Sequence, residues 1–305
     1  METKQHILVV GSSNTDMVIK TDRLPRPGET ILGGTFFMNP GGKGANQAVA
    51  IARLDGQVTF ICKTGSDIFG QQSRQIFEKE GIDTSYLFTD PNHPSGIALI
   101  TVDSKAENCI AVASGANANL LPGDLSTAHD AIEKADIILM QLEIPIETVK
   151  YVSDIARKLN KKVILNPAPA QPLDDELLQS LFLITPNETE AEMISGIKIT
   201  DVDSLHTCAR TICDRGVRSV IITLGSKGAF LYNDAIGELI PSYEVNAIDT
   251  TAAGDIFNAG LAVAVSEGCD LAEAVRFANK AAAISVTRLG AQSSAPYRHE
   301  ADIFV

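Results

Sequence analysis

No stretch of this chain is long and apolar enough for a membrane anchor, and no basic run offers a face to nucleic acid. Acidic residues number 38 against 25 basic ones, a formal charge of −13, whereas a nucleic-acid surface needs a clustered positive face. A small anionic ligand remains compatible with that charge, provided that helix ends, one or two lysines and Mg²⁺ make its site locally positive. Met1 leads straight into the strand-like Ile7-Leu-Val-Val10 without a basic segment and a long apolar run. Neither a signal peptide nor an anchor is therefore expected, and the cytoplasm is the default compartment. The five cysteines, Cys62, Cys109, Cys208, Cys213 and Cys269, are odd in number and lack CxxC or paired Cys/His spacing. This excludes a disulfide framework and a zinc site, and predicts reduced, structural thiols. The five histidines are dispersed and receive no role. No Pro/Ser linker, low-complexity tract or internal repeat divides the 305 residues. A length prior of about 150 residues per domain suggests two domains; the unbroken alternation of helix and strand patterns predicts one, spanning 1–305.

What is present centres on Asp249-Thr-Thr-Ala-Ala-Gly-Asp255, which runs into the apolar Ile-Phe-Asn-Ala-Gly-Leu-Ala-Val. The pattern is a helix start. Ala252, Ala253 and Gly254 are small enough for first-turn N–H groups, which have no partner inside the helix, to approach an anion. Asp255 places a carboxylate in the same turn. Donors beside a base suit transfer of a phosphoryl group to a hydroxyl. An isolated first-turn Asp merely stabilises its helix; the small-residue run and the preceding Thr-Thr argue for more.

Taken in order, Ile7–Val10 is a buried strand ending in Gly11-Ser-Ser-Asn14-Thr-Asp16. In an open parallel sheet the strand C-terminal ends face the ligand, so Asn14 and Asp16 are open between hydroxyl ligands and an Asx turn. Short strands at 17–20 and 35–38, with later ones at 95–102 and 107–113 across the polar turn Asp103-Ser-Lys-Ala106, form a candidate lid contributed by about 14–40 and 95–113. A lid over the site would exclude water. Gly41-Gly-Lys-Gly-Ala-Asn46 opens an apolar helix. It is not a Walker A loop, because Lys43 is followed by Gly44 rather than Ser or Thr. Lys43 suits a phosphate and Asn46 a polyol, while the glycines alone fit close packing equally well.

The main body then alternates: strand 58–63, helix 67–80, strand 136–142, helix 146–159 and strands 162–165 and 182–185, a doubly wound pattern predicting parallel pairing. Glu143 follows its strand on the expected ligand edge. Asn187 and Glu190 have capping-box spacing, and the same residues could organise Mg²⁺ and phosphate through water. Strands at 220–224 and 229–232 flank the turn Gly225-Ser-Lys-Gly228, over which a base or ribose would fit. A strand at 244–247 is expected to feed the central segment, with a helix at 271–286 after it. The polar loop 287–296 near the same end suits a monovalent cation.

Assembled, these residues resemble the PfkB carbohydrate kinase family over essentially the whole chain. The likeness rests on Gly-Gly-Lys-Gly-Ala-Asn at 41–46, Asn-Pro-Ala-Pro-Ala at 166–170 and Thr-Pro-Asn-Glu-Thr-Glu-Ala-Glu at 185–192. Asp-Thr-Thr-Ala-Ala-Gly-Asp at 249–255 and Thr-Arg-Leu-Gly-Ala-Gln at 287–292 complete it. The resemblance implies a three-layer α/β/α sandwich with a mostly parallel central sheet, a β-sheet lid that takes part in homodimer contacts, and ATP-dependent phosphorylation of D-ribose at O5. It assigns Asn14, Asp16, Gly42, Lys43, Asn46 and Glu143 to the sugar, Asp255 to the base, and the backbone of Ala252, Ala253 and Gly254 to an anion hole. Asn187, Thr223, Gly225, Ser226, Gly228, Gly254 and Asn279 would meet ATP, although relatives often carry His at position 279. Glu190 would serve the Mg²⁺ network through water. Asp249, Thr251, Ser285, Arg288, Gly290 and Ser294 would surround an activating K⁺. Competing expectations are a kinase for 2-deoxyribose, another small sugar or a nucleoside, and a catalytically silent sensor on the same fold.

Overall fold

The structure is a computed structural model and describes residues 5–105 and 107–304. Met1 and Ala106, the latter in the turn expected to join two lid strands, lie outside the described residues.

Strand β1 (His6–Val10) is a continuous apolar run because both of its faces are covered. Ile7 and Val9 enter one hydrophobic core, and Leu8 and Val10 enter the other, as the period of a pleated strand requires. Each such side chain contributes about 1.5–3 kcal/mol by leaving water. The chain then departs into β2 (Asn14–Lys20) and β3 (Thr35–Gly41), and returns through α1 (Lys43–Arg53) to β4 (Gln57–Gly65), α2 (Ile68–Lys79) and β5 (Leu87–Asp90). A second excursion makes β6 (Gly96–Val102) and β7 (Asn108–Ala113). Regular alternation follows through α3 (His129–Lys134), β8 (Ile137–Met140), α4 (Ile146–Lys158), β9 (Lys162–Leu165), α5 (Asp175–Ser180) and β10 (Leu183–Ile184). The last part comprises α6 (Glu188–Ser195), α7 (Val202–Asp214), β11 (Val220–Thr223), β12 (Ala229–Tyr232), β13 (Gly237–Ile240), α8 (Ala253–Ser266), α9 (Leu271–Ser285) and α10 (Arg298–Ile303).

The central sheet runs β13-β12-β11-β10-β9-β8-β1-β4-β5. It is parallel from β5 to β11, and only the terminal β11-β12-β13 pairings are antiparallel. Residues of α1, α8 and α9 cover one face and those of α3 to α7 the other, which is the expected α/β/α sandwich. Strand order reverses between β1 and β8, so a crevice opens beyond their C-terminal ends. The excursions form a second sheet, β3-β2-β6-β7. Its outer pairs are antiparallel and its central β2–β6 pair is parallel.

Three expectations need correction. The segment 244–247 is not a strand; β13 takes the sheet edge, and the chain beyond it is drawn to the end of α9, where Ile248 and Asp249 N–H groups donate to Val286 O. Asn14 and Asp16 do not extend the end of β1 but begin β2 in the small sheet. Cys109 is exposed on β7 rather than a core thiol, although all five cysteines are free. Strands β5 and β13 and helices α3, α5, α7 and α10 were not anticipated. Among the described residues, no helix is long and apolar enough to cross a membrane.

Candidate active site

The N-terminus of α8 lies under the crevice. Its cap, Ala252, takes the left-handed conformation (φ 60°, ψ 12°) and makes no side-chain cap bond, a costly choice for a residue with a Cβ. That turn presents successive N–H groups outward at the positive end of the helix dipole. Among the described residues the Ala252 and Gly254 N–H groups have no backbone partner, whereas that of Ala253 reaches Thr250 O at 3.2 Å.

Asp255, in the first turn, is buried. Its Oδ2 accepts from Asn46 Nδ2 at 2.8 Å and its Oδ1 from Gln47 Nε2 at 3.0 Å. Burial pushes its proton affinity above the ordinary carboxylate range; Lys43 and the two amides oppose the rise, and Glu143 adds to it. A carboxylate tuned toward neutrality suits a general base.

Lys43, Asn46 and Gln47 all come from the start of α1. The vacant N-terminal donors of this helix are partly answered by Glu143, just after β8: its Oε2 accepts from Lys43 N at 3.0 Å and from Ser12 Oγ at 2.5 Å. Lys43 Nζ stands 3.8 Å from Glu143 Oε1. The glycines before α1 are explained by close approach. A Cβ at Gly41 would lie 2.3 Å from Asp16 Oδ2, and one at Gly42, where φ is +88°, would lie 2.7 Å from Asn14 N. Glycine therefore lets strand β2 of the small sheet lie directly over the helix entrance.

Through that approach Asp16 joins Lys43, Glu143 and Asp255. Its proton affinity is raised to about 6, first by burial and then by Glu143, with Lys43 opposing and Asp255 reinforcing. Asn14 makes no Asx turn. Its Oδ1 accepts from Asn117 Nδ2 at 2.8 Å, and Asn117 Oδ1 accepts from Ser13 N at 2.9 Å. Asn46 Oδ1 is buried and has no partner among the described residues, an acceptor suited to a hydroxyl donor.

On the other side of Gly254 opens a cavity of about 820 Å³. Thr223, Gly225, Ser226 and Gly228 line it from the β11–β12 turn, and Asn279 lines it from α9. Val245, Ala247, Phe257 and Val286 give it apolar walls, a composition that fits a flat heteroaromatic ring with a polar tail. Asn279 Nδ2 donates to Ile240 O and Pro241 O at 3.2 and 3.1 Å. Asn187 is not among the lining residues. It caps α6 in a reciprocal box with Glu190, at 2.8 and 2.9 Å, and bridges to Thr223.

Between α8 and the loop after α9, Asp249 Oδ1 accepts from Thr251 N and Oγ1 at 3.0 and 2.7 Å, while its Oδ2 accepts from Gly290 N at 2.9 Å. Burial opposes ionisation there, but these bonds outweigh it and hold Asp249 below the ordinary carboxylate value. The side chains of Arg288, Ser285 and Ser294 turn elsewhere, to Glu300, Ala282 O and Ala291 O. Among the described residues, no group of three or more His, Cys, Asp or Glu side chains could hold a metal ion.

Several residues that sequence reasoning passed over complete the site: Ser12, Gln47, Asn117, Gln141, Asn166, Thr185 and Asn258. Asn258 did carry a signal, since it is an amide set into a largely apolar helix, and Gln47 stands beside the candidate Asn46 at the start of α1. Asn117 and Gln141 gave none, because their partners lie about a hundred residues away in sequence.

The sequence pattern of the family described as pfkB family carbohydrate kinase matches residues 4–298. The chain is 46% identical over 297 residues to a ribokinase of Haemophilus influenzae, covering 97% of each. It is 38% identical to a deoxyribokinase of Salmonella typhi over 291 residues, covering 95% of each. Its fold is similar to the structure of Arabidopsis thaliana ribokinase complexed with ribose and ATP: the TM-score is 0.92 at 33% identity, with 98% of each chain covered.

Proposed function

This chain belongs to the pfkB family of carbohydrate kinases, and on that premise we propose that it transfers the γ-phosphoryl group of ATP to O5 of D-ribose. The observation that carries this reading is the position of Asp255. One buried carboxylate stands between a polar pocket under the small sheet and a helix end that opens onto the large cavity. Relatives named ribokinase at this level of identity and coverage supply the acceptor and donor.

In this reading Asp16, Asn14 Nδ2, Asn46 Oδ1 and Lys43 take the ribose hydroxyls, with Gly42 allowing the close approach and Glu143 fixing Lys43. ATP lies in the cavity, its base against the apolar wall near Asn279 and its ribose over the turn of Thr223, Gly225, Ser226 and Gly228. Its phosphates run toward Gly254 and Asn187. Asp255 removes the O5 proton as that oxygen attacks the γ-phosphorus. The bond to the ADP oxygen breaks, and the proton stays on the carboxylate. The N–H groups of Ala252 and Gly254, without a backbone partner among the described residues, and that of Ala253, shared with Thr250 O, hold the charge spread over the equatorial oxygens. The gain lies mainly in positioning and in a pre-aimed set of donors.

Glu190 fits a hydrated Mg²⁺: its Oε2 serves the cap of α6, and its proton affinity is raised by burial and by neighbouring Asp255, with Asn187 N–H and Lys43 opposing. Mg²⁺ bound there would neutralise the donor phosphates. The Asp249, Thr251, Ser285, Arg288, Gly290 and Ser294 loops offer hard oxygen donors, several of them backbone carbonyls, that fit K⁺. The cation would brace the turn leading into Ala252.

The chain acts in the cytoplasm as one kinase domain, 1–305, and pairs with a second copy through the small sheet. Ile19 and Phe36 face each other in register, as do Met17, Met38 and Leu99; Ile19, Phe36, Met38 and Leu99 are exposed, an apolar face suited to burial against a copy of itself.

The deciding experiment is the product of D-ribose and MgATP, read by ³¹P–¹H correlated NMR. Coupling of the new phosphorus to the C5 protons is expected. Phosphate at another carbon, or ATP hydrolysis without a sugar phosphate, contradicts the reading.

A further inference from the structure

Behind Asp255 lies a set of buried amides that neither the phosphate nor the sugar would touch. Gln47 is fully buried on α1. Its Nε2 donates both to Asp255 Oδ1 at 3.0 Å and to Asn166 Oδ1 at 3.2 Å, while its Oε1 accepts from Gln141 Nε2 at 2.5 Å. Acceptors flank its nitrogen and a donor meets its oxygen, so only one orientation of the amide satisfies all three neighbours. A flipped Gln47 would set its oxygen against a carboxylate and a carbonyl together. Gln141 supplies the orienting donor at an expense: its own Oε1 is buried without a partner among the described residues, which is destabilising.

A second branch ties the same carboxylate to the anion-binding turn. Asn166 Nδ2 donates to Thr185 O at 3.4 Å, Thr185 Oγ1 to Asn258 Oδ1 at 2.6 Å, and Asn258 Nδ2 to Gly254 O at 2.8 Å. The ring therefore closes on the residue preceding Asp255. It couples the direction of the carboxylate to that of the backbone donors beside it.

We propose that Gln47 is a positioning residue for phosphoryl transfer, held in one amide orientation by Gln141 and Asn166, and that it fixes Asp255 Oδ1 so that Oδ2 faces the attacking hydroxyl. The proposal rests on the reading of Asp255 as the base. Gln47 does not touch the reacting atoms; it acts through the carboxylate. The charged groups bearing on Asp255 are Lys43, Glu143, Asp16 and Glu190, and none of them replaces the donor that Gln47 gives to Oδ1. Loss of that donor leaves the ionised carboxylate less stabilised, so its proton affinity rises further.

The test compares Gln47→Met and Gln141→Met with Asp255→Asn, each in the full chain. Steady-state rates with D-ribose and MgATP are followed from about pH 5 to 9. Because the chain has no tryptophan, ribose affinity is read by calorimetry. For Gln47→Met we expect kcat to fall roughly 10- to 100-fold, with ribose Kd changed less than about threefold. The acid limb of the kcat profile should move up by about one to two pH units, the worth of one hydrogen bond to a charged group. Gln141→Met should give the same pattern at smaller size, about three- to tenfold in kcat, and it decides the matter if Gln47→Met does not fold. An unchanged kcat and acid limb, with Asp255→Asn inactive, overturns the positioning role and leaves the base assignment standing. So does loss of kcat and ribose affinity in proportion with an unmoved limb, the mark of general damage. Near-normal turnover in Asp255→Asn overturns the base assignment, and the positioning role falls with it.

Discussion

The pocket under the small sheet and the cavity beside β11 meet at Asp255 but are built from different materials. The first is a crowd of side chains: Asp16, Lys43, Asn46, Glu143 and Asp255 share one electrostatic neighbourhood, and Asn46, Glu143 and Asp255 are each held by hydrogen bonds to neighbouring groups. The second is mostly backbone turn, glycine and small apolar surface around about 820 Å³. A site that pairs specific hydroxyls with specific side chains rejects an acceptor lacking one of them, because a buried group is then left unpaired. A site of backbone donors and apolar wall reads a charge pattern and a flat ring, and tolerates side-chain exchange. The acceptor half should therefore respond sharply to single substitutions and to pH, and the donor half mainly to changes in its backbone.

The largest effect belongs to the residue shared by both halves. Asp255→Asn should lose roughly 10²- to 10⁴-fold in kcat while ribose and nucleotide affinities, read by calorimetry, stay close to their starting values. Next comes Asp16→Ala, confined to the acceptor half. Loss of hydrogen bonds to a charged group should lower kcat/KM for ribose roughly 10²-fold and leave the KM for ATP unaltered; a parallel rise in both would erase the distinction.

Gly228→Ala tests the donor half through its backbone. At φ +99° a new Cβ would lie 2.1 Å from Ile240 O, and forced relaxation of about 1–3 kcal/mol should raise the KM for ATP about tenfold with ribose Kd untouched. The smallest effect is that of pH. Asp16 titrates at about 6; it is ionised and able to accept from sugar hydroxyls above that value, and progressively protonated below it. Ribose Kd should weaken about fourfold between pH 7.5 and 5.5 by this titration, while ATP affinity moves less. A ribose Kd independent of pH across that range would contradict the assignment of Asp16 to the sugar.

What the sequence made legible follows the range of the interactions. Local signals read well. The run Ile7–Val10, the spacing of Asn187 and Glu190, and the small residues before Asp255 each act within a few positions, and the structure places a buried strand, a reciprocal cap and a helix start there. The doubly wound order and the small sheet were also within reach, because strand and helix periods differ. Asn14 and Asp16 show the limit. Their polar texture marked them as candidates, yet their true setting is strand β2, and the carboxylate of Asp16 reaches Gly41 only through pairing with β3. At 244–247 the expected strand is absent, and the chain just beyond it ties to the end of α9 through Ile248 and Asp249. Least legible was the support behind the base: Gln47, Asn166 and Gln141 are brought together from three distant segments by the parallel sheet, and no local spacing announces such a meeting.

The most direct test of the central claim, that the acceptor half is a side-chain-built ribose site, is the ratio of kcat/KM values for D-ribose, 2-deoxyribose, D-fructose and adenosine under one set of MgATP and K⁺ conditions. The highest value for D-ribose is the predicted result, with K⁺ omission lowering the rate. A higher value for 2-deoxyribose or any other acceptor would contradict the assignment while leaving the chemistry at Asp255 in place.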